Sequence, residues 1–210
     1  PYRRQRQMCI RDSNTCYMFN HRPNSLNAGS LWGRPFYILR EAWNILNAIA
    51  EGKIESGDEK KLNALKGETM AVIALCQFDL TRCFGYPYTK DKGASLGAPL
   101  IDHLVGTYEN PPRSTVAQAY DFIIETLEEA VTLMSEEKNN GRMNKYAARA
   151  LLARIYLYHD DNRKAFDLAD QLIKDADTSG SYALYPHEKY VAAWSVEAKF
   201  GSESFFEIAN

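Results

Sequence analysis

The segment from Ala150 to Ile173, ALLARIYLYHDDNRKAFDLADQLI, limits the possible folds more than any other part of the chain. Apolar residues recur at helical spacing on both sides of the polar run HDDN. This pattern predicts a helix over 146–158, a turn, and a second helix over 163–174. Small and aromatic residues stand at the spacings of a tetratricopeptide-type hairpin: Leu152, Ala153, Tyr156, Ala165 and Ala169. Because one hairpin cannot bury its own apolar face, we expect further helices to stack against it.

The first third of the chain changes character near Leu31. Residues 1–30 are polar and have no sustained period, so we expect an irregular N-terminal segment there. From Leu31 onward apolar residues recur at helical spacing through Trp43, and the run ESGDEK after Gly52 ends this first helix. The predicted organisation is therefore an irregular segment, 1–30, followed by a helical repeat domain, 31–210.

A second, long helix is predicted from about Glu59 to Phe84. Gly85 is a natural stop for it, and a small residue at Gly67 would let a neighbouring helix approach closely. We expect this helix and the one around Trp43 to form a second hairpin.

The next stretch, 86–112, is rich in glycine and proline and predicts a long connection. Connections of this length inside a compact domain are either functional or insertions. Thr115 and Gln118 then form a T-x-x-Q capping box that begins a third helix, which the run NNG from Asn139 is expected to end. The predicted fold is all-α, mainly helical, with tetratricopeptide-like hairpins and long loops.

Charge argues against a nucleic-acid partner, and hydropathy against a membrane-spanning helix. The net charge of the 210 residues is −2, so the chain lacks the basic surface of a nucleic-acid-binding protein. No apolar run approaches the roughly 20 residues of a membrane-spanning helix.

The four cysteines predict no zinc site, because their spacings match no zinc-binding pattern. Cys76 and Cys83 stand seven positions apart on one predicted helix, roughly 10 Å apart at its rise per residue, which is beyond disulfide reach. Buried free thiols are the expectation for the cysteines. The spacing leaves open whether Cys9 and Cys16 are paired.

Nothing in the sequence favours catalysis. The chain contains no nucleophile elbow, zinc-protease, dinucleotide or phosphate-loop motif, and its histidines are scattered among predicted loops and turns. We interpret His159, Asp160 and Asp161 as a polar turn between helices rather than a metal or acid–base cluster. We therefore predict a protein that is not an enzyme and has neither a catalytic residue, a metal nor a cofactor.

Aromatic residues outside the helical pattern are the best candidates for ligand contacts. Several of them lie in segments rich in Gly, Pro or Asn: Phe19, Trp32, Tyr86, Tyr88 and Tyr108. Exposed aromatic rings can stack on the flat face of a ligand while Asn or Arg side chains supply hydrogen bonds, an arrangement that suits sugar rings. Packing against the helices is the alternative role for each of these rings.

Seven segments, taken in order, resemble the SusD/RagB family from Leu31 onward. They are LWGRPFYILREAWNILN, KGETMAVIALCQFDLTRCFGYPY, GAPLIDHLV, PPRSTVAQAYDFIIETLEEAVTLM, GRMNKYAARALLARIYLY, SYALY and SESFFEI. The resemblance implies a SusD-like helical fold and a surface-exposed lipoprotein of the bacterial outer membrane. Family members are considerably longer, so the helical domain is expected to be incomplete at its C-terminus.

The resemblance also implies a function. Such proteins bind glycans without catalysis and deliver them to a SusC-type TonB-dependent transporter, anchored by an N-terminal lipid that this chain does not include. For this chain the expected ligand-binding residues are Phe19, Asn24, Asn27, Trp32, Arg34 and Tyr88. Two alternatives remain open: a peptide-binding member of the RagB branch, and a general tetratricopeptide adaptor for other proteins.

Overall fold

The computed structural model describes residues 26–54, 57–193 and 199–208. Its elements, in chain order, are α1 (Leu26–Ala50), α2 (Glu59–Phe84), β1 (Leu96–Pro99), β2 (Arg113–Thr115), α3 (Val116–Leu133), α4 (Lys145–Tyr158), α5 (Asn162–Ser179) and α6 (Tyr190–Ala193). Two short 3₁₀ turns, Tyr88–Lys90 and His187–Lys189, lie between them. The backbone divides after Arg34, within α1, into two compact units, and the packing below concerns the second, 35–210. The mainly helical fold is confirmed.

The predicted C-terminal hairpin is present as α4 and α5. Asn144 accepts a hydrogen bond from the N–H of Ala147 and begins α4, and Asp161 accepts one from the N–H of Lys164 and begins α5. Leu152, Tyr156 and Ala165 are buried, as the hairpin pattern requires. Helix α5 continues to Ser179, beyond the predicted end near residue 174, and Gly180 closes it with a φ of 66°.

The capping box at the start of α3 is confirmed in both directions. The N–H of Gln118 donates to Oγ1 of Thr115 at 3.1 Å, and the N–H of Thr115 donates back to Oε1 of Gln118 at 2.9 Å. The predicted end of α3 near Asn139 is wrong, because the helix ends at Leu133. Met134 is the C-cap: it is buried in an extended conformation, and its N–H donates to the carbonyl of Ala130.

Helix α2 has the predicted bounds and packs closely on α3 at Gly67. A Cβ atom at Gly67 would lie 2.9 Å from the carbonyl oxygen of Ala130, so only glycine permits this approach without a shift. Helix α1 begins at Leu26, so residues 26–30 are helical and not irregular as expected. The run from Asn27 to Ser30 has no apolar stripe, which is why periodicity places the start too late.

Three apolar clusters form the core of this unit, and the smallest packs Tyr146 and Tyr182 with residues of α5. The largest joins α2, α3 and α4 around Phe78, Ile123 and Ile155, all fully buried. The second cluster includes Leu39 of α1 and Ile73 of α2. It also includes Ala98 and Ile101 of the long connection.

Polar side chains of α1 and α2 hydrogen-bond to the backbone of the connection between α2 and α3. Fully buried Gln77 donates to the carbonyl of Pro99 at 3.1 Å and accepts from the N–H of Ile101 at 3.3 Å. Trp43 Nε1 donates to the Ile101 carbonyl at 3.2 Å. Strands β1 and β2 pair antiparallel within the connection, an element that the sequence did not predict.

The two cysteines in the described part of the chain differ in environment. Cys76 is a buried free thiol, as expected, and burial, with a smaller contribution from Asp79, raises its pKa to about 12. Cys83 is also free but exposed, so the expectation of burial is wrong for it. Cys9 and Cys16 lie outside the described residues. No helix in the described ranges is long and apolar enough to span a membrane.

Candidate functional site

The predicted ligand-binding residues fall into three groups. Phe19 and Asn24 lie outside the described residues, and Asn27 is described only as part of the α1 backbone. Trp32 and Arg34 lie further along α1, and both side chains are exposed, Trp32 by 40%. Being two positions apart on a helix, they do not share one face.

Tyr88 occupies a different kind of position in the second unit. Its half-buried ring lies 4.2 Å from the ring of His159 and 5.7 Å from that of Tyr120, measured between centroids. Tyr120 in turn lies edge-on to Phe78. The Tyr88 ring thus packs the 3₁₀ turn against the helices. Only the part of the ring that these contacts leave uncovered can contact a ligand.

The backbone of Gly93 links the loop that follows Tyr88 to both Tyr88 and the start of α3. The N–H of Gly93 donates to the Tyr88 carbonyl at 3.2 Å, and the Gly93 carbonyl accepts from the N–H of Ala117 at 2.9 Å. Gly93 has a φ of +75°, and a Cβ there would lie 2.6 Å from the nitrogen of Ala117. Glycine is therefore required for both its conformation and its space.

The segment from His159 to Asp161 is a helix-to-helix turn, as predicted. The N–H of His159 donates to the Ile155 carbonyl at 2.9 Å, and Asp160 supplies the left-handed residue of the turn with a φ of 69°. Asp161 is the N-cap of α5. Within the described part of the chain, no three His, Cys, Asp or Glu side chains are placed to hold a metal ion.

The exposed side chain of His103 bridges the carboxylates of Asp102 and Glu109 in the long connection and forms the His103 clasp. His103 Nδ1 lies 2.6 Å from Oδ1 of Asp102, and its Nε2 lies 2.7 Å from Oε1 of Glu109. These bonds, that to Asp102 first, raise the pKa of His103. The backbone N–H of Gly106 and then His103 lower the pKa of Glu109. The clasp closes a small loop that carries Tyr108, which is 96% exposed.

A cleft of about 510 Å³ lies between the first turns of α2 and the connection from α3 to α4. Glu68 is the central polar group, accepting from the N–H of Met143 at 3.0 Å and from Nε of Arg142 at 2.9 Å. Lys60, Lys61 and Glu137 add charges of both signs to the lining. The volume is that of a small-molecule pocket. Sequence reasoning missed it because its two walls lie more than 60 positions apart.

Two arginines meet around one tyrosine at the C-terminal ends of α2 and α4. The guanidinium carbon of Arg82 lies 5.9 Å from the ring centroid of Tyr158, and that of Arg154 lies at the same distance. Both guanidiniums also lie within 6 Å of the buried Phe78 ring. The sequence alone did not predict the group of Arg82, Arg154 and Tyr158, since each arginine resembles an ordinary cation near the end of a helix.

The comparisons with known proteins agree with the fold. Residues 4–157 match the model of a SusD-like family described as starch-binding and associating with the outer membrane. No curated protein matches the chain.

Several solved structures resemble the chain. A SusD superfamily protein from Bacteroides thetaiotaomicron is 40% identical, with a TM-score of 0.79, over 84% of this chain and 38% of that one. A putative sugar binding protein from Bacteroides vulgatus is 37% identical, with a TM-score of 0.77, over 84% of this chain and 40% of that one. The surface glycan-binding protein A of Bacteroides uniformis, 20% identical with a TM-score of 0.70 over 88% of this chain and 38% of that one, shares the fold. This chain thus spans about two fifths of the length of these proteins.

Proposed function

The chain belongs to the SusD-like family, whose members are described as starch-binding and associated with the outer membrane, and on this premise we propose that it is part of a glycan-binding protein. The protein binds polysaccharides or oligosaccharides at the bacterial surface and catalyses no reaction on them. The observation that carries the proposal is the family match over residues 4–157. The two solved relatives above 35% identity, described as a SusD superfamily protein and a putative sugar binding protein, support it.

The proposed ligand contacts come from the segment between Phe19 and Arg34. Trp32 supplies an aromatic face for a sugar ring, while Asn24, Asn27 and Arg34 supply hydrogen bonds to hydroxyl groups. The 40% exposure of Trp32 supports this role, because part of the residue lies at the protein surface. Tyr88 is a separate proposed contact in the second unit, through the uncovered part of its half-buried ring.

The helical hairpins supply the proposed docking surface for a SusC-type TonB-dependent transporter, to which the protein delivers its ligand. Phe166 and Ile173 of α5, seven positions apart and so on one face, are 65% and 66% exposed. Contact with a protein partner would remove both of these apolar side chains from water. The protein is held in the outer membrane by an N-terminal lipid outside this chain, with its ligand site facing the surroundings.

Binding of the full-length protein to a panel of polysaccharides and oligopeptides tests the proposal. We expect retention of at least one polysaccharide and its loss in Trp32→Ala, with an unchanged melting temperature. Tyr37→Ala is the matched control, since Tyr37 lies on the same helix and is 61% exposed. Retention of oligopeptides alone would assign the protein to the peptide-binding branch. Binding to neither class would reject the proposal and favour a tetratricopeptide adaptor.

A further inference from the structure

The group formed by Arg82, Arg154 and Tyr158 carries more positive charge than its surroundings balance. Arg82 donates from Nη2 to Oδ1 of Asp79 at 2.8 Å. Arg154 is exposed and, among the residues that the structure describes, takes part in no ion pair. Among the described residues, the carboxylate of Asp79 is therefore the one that pairs with this group of two guanidiniums. Each guanidinium has five N–H donors, so most of the donors in the group are left for another acceptor.

The pKa of Tyr158 is affected by this excess of positive charge. Hydrogen bonding from Arg82, and next from Arg154, lowers the pKa of Tyr158 from its ordinary value. A positive field that favours a phenolate at this position favours any other anionic oxygen there as well. The group is thus pre-arranged to receive negative charge.

The shape of the group narrows the class of anion. Tyr158 is 40% exposed and its ring centroid lies 5.4 Å from that of Phe78, so part of an apolar ring lies at the surface beside the guanidinium donors. A planar guanidinium matches a carboxylate through two parallel hydrogen bonds. A ligand that uses both features has a ring to lie against the tyrosine and a carboxylate attached to that ring.

We propose that Arg82, Arg154 and Tyr158 form a binding site for the carboxylate of an acidic sugar residue. The inference rests on the proposed glycan-binding function and names the class of glycan, one that contains uronic acids. Arg154 supplies the unpaired guanidinium, Arg82 supplies its donors not used by Asp79, and Tyr158 supplies the surface for the sugar ring.

Polygalacturonate and its methyl ester are the probes, because they share one sugar backbone and the ester replaces each charged carboxylate with a neutral methyl ester. We expect the full-length protein to bind polygalacturonate at low salt, and its affinity to fall at least tenfold for the fully esterified polymer. We expect Arg154→Gln to lower the affinity for polygalacturonate about tenfold, as the loss of a charge-assisted hydrogen bond does. Arg154→Lys, which keeps the charge, should restore part of it.

Arg163→Gln is the control, because Arg163 is an exposed helix arginine, 2.8 Å from Asp167, that lies outside the proposed site. All variants should keep the wild-type melting temperature. Equal affinity for the two polymers, or equal effects of Arg154→Gln and Arg163→Gln, would overturn the inference.

The outcomes separate this inference from the function on which it rests. Binding of neutral glycans without polygalacturonate would reject the acidic-sugar site and leave the proposed function standing. Binding of no glycan would reject both. Poly-L-glutamate is the third probe: if it binds as tightly as polygalacturonate and with the same dependence on Arg154, the site recognises protein carboxylates and the assignment to sugars is wrong.

Discussion

Gly67 lies directly against Met134 where α2 crosses α3. A Cβ atom at Gly67 would be 2.7 Å from Cγ of Met134 and 2.9 Å from the carbonyl oxygen of Ala130. The Met134 side chain can move, but the Ala130 backbone cannot do so without shifting α3. The closest approach of these two helices therefore depends on one absent methyl group.

The first prediction concerns that contact. Replacing a helix-interior glycine with alanine ordinarily stabilises by up to about 1 kcal/mol. For Gly67→Ala we expect the opposite sign, a loss of about 1–3 kcal/mol in the free energy of unfolding, because overpacking outweighs the propensity gain. Urea denaturation measures it. Gly33→Ala is the control, since a Cβ there meets nothing within 4 Å, and it should be neutral or stabilising. Equal effects of the two substitutions would contradict the packing argument.

The second prediction concerns the capping box of α3. Thr115→Ala removes the acceptor for the Gln118 N–H and should cost about 1 kcal/mol of unfolding free energy. Thr115→Ser keeps the hydroxyl oxygen and should retain most of the stability. Thermal unfolding followed by circular dichroism distinguishes the variants. If serine is as destabilising as alanine, the methyl group rather than the hydrogen bond carries the effect.

The third prediction concerns Glu68, whose side chain is only 19% exposed at the base of the cleft. Glu68→Ala leaves the N–H of buried Met143 without its acceptor and should cost about 1–3 kcal/mol of unfolding free energy. Glu68→Gln retains an acceptor oxygen and should cost less. Glu129→Ala breaks only the surface pair with Lys66 and should cost under about 1 kcal/mol. A ranking with Glu129→Ala as the largest loss would be inconsistent with this role.

The fourth prediction concerns the pH dependence of the His103 clasp. Since Asp102, and then Glu109, raise the pKa of His103, the clasp is fully formed below the ordinary histidine pKa of about 6.5. It is lost as the pH rises through the raised value. An NMR titration of the imidazole should give a midpoint above the ordinary value, and Asp102→Asn should lower that midpoint. An unshifted midpoint in the wild-type protein would remove the basis for the clasp.

The fifth prediction concerns the two cysteines of α2. Alkylation of the native protein at pH 8, mapped by peptide mass, should label Cys83 within minutes. Cys76 should stay unlabelled, because burial raises the pKa of its thiol to about 12 and hides it from the reagent. Both should react after unfolding in guanidinium. Rapid native labelling of Cys76 would show that α2 opens locally.

The features that could be predicted from the sequence are those with local causes. The C-terminal hairpin up to residue 174, the bounds of α2 and the Thr115 capping box each depend on residues within a few positions of one another. Gly67 was identified because a glycine inside an apolar helix stripe costs stability unless space requires it.

The features that were missed depend on residues distant in sequence. Strand β1 contains Gly97 and Pro99 and has no apolar alternation, so only its pairing with β2 shows it to be a strand. The Arg82–Arg154 group and the cleft at Glu68 arise only when separate helices pack together. The role of Trp32 stays a prediction, supported by its exposure and by the family match.

The short ladder between β1 and β2 has a consequence for the evolution of the loop that it closes. Arg113 strengthens the ladder by donating to the carbonyls of Gly97 at 2.7 Å and Leu96 at 2.8 Å. The pairing of β1 with β2 holds the two ends of the loop 100–112 close together. The entropy cost of lengthening such a closed loop grows only with the logarithm of its length. Insertions near Tyr108 can therefore accumulate and diversify what this loop presents, while the helices that flank it keep their packing.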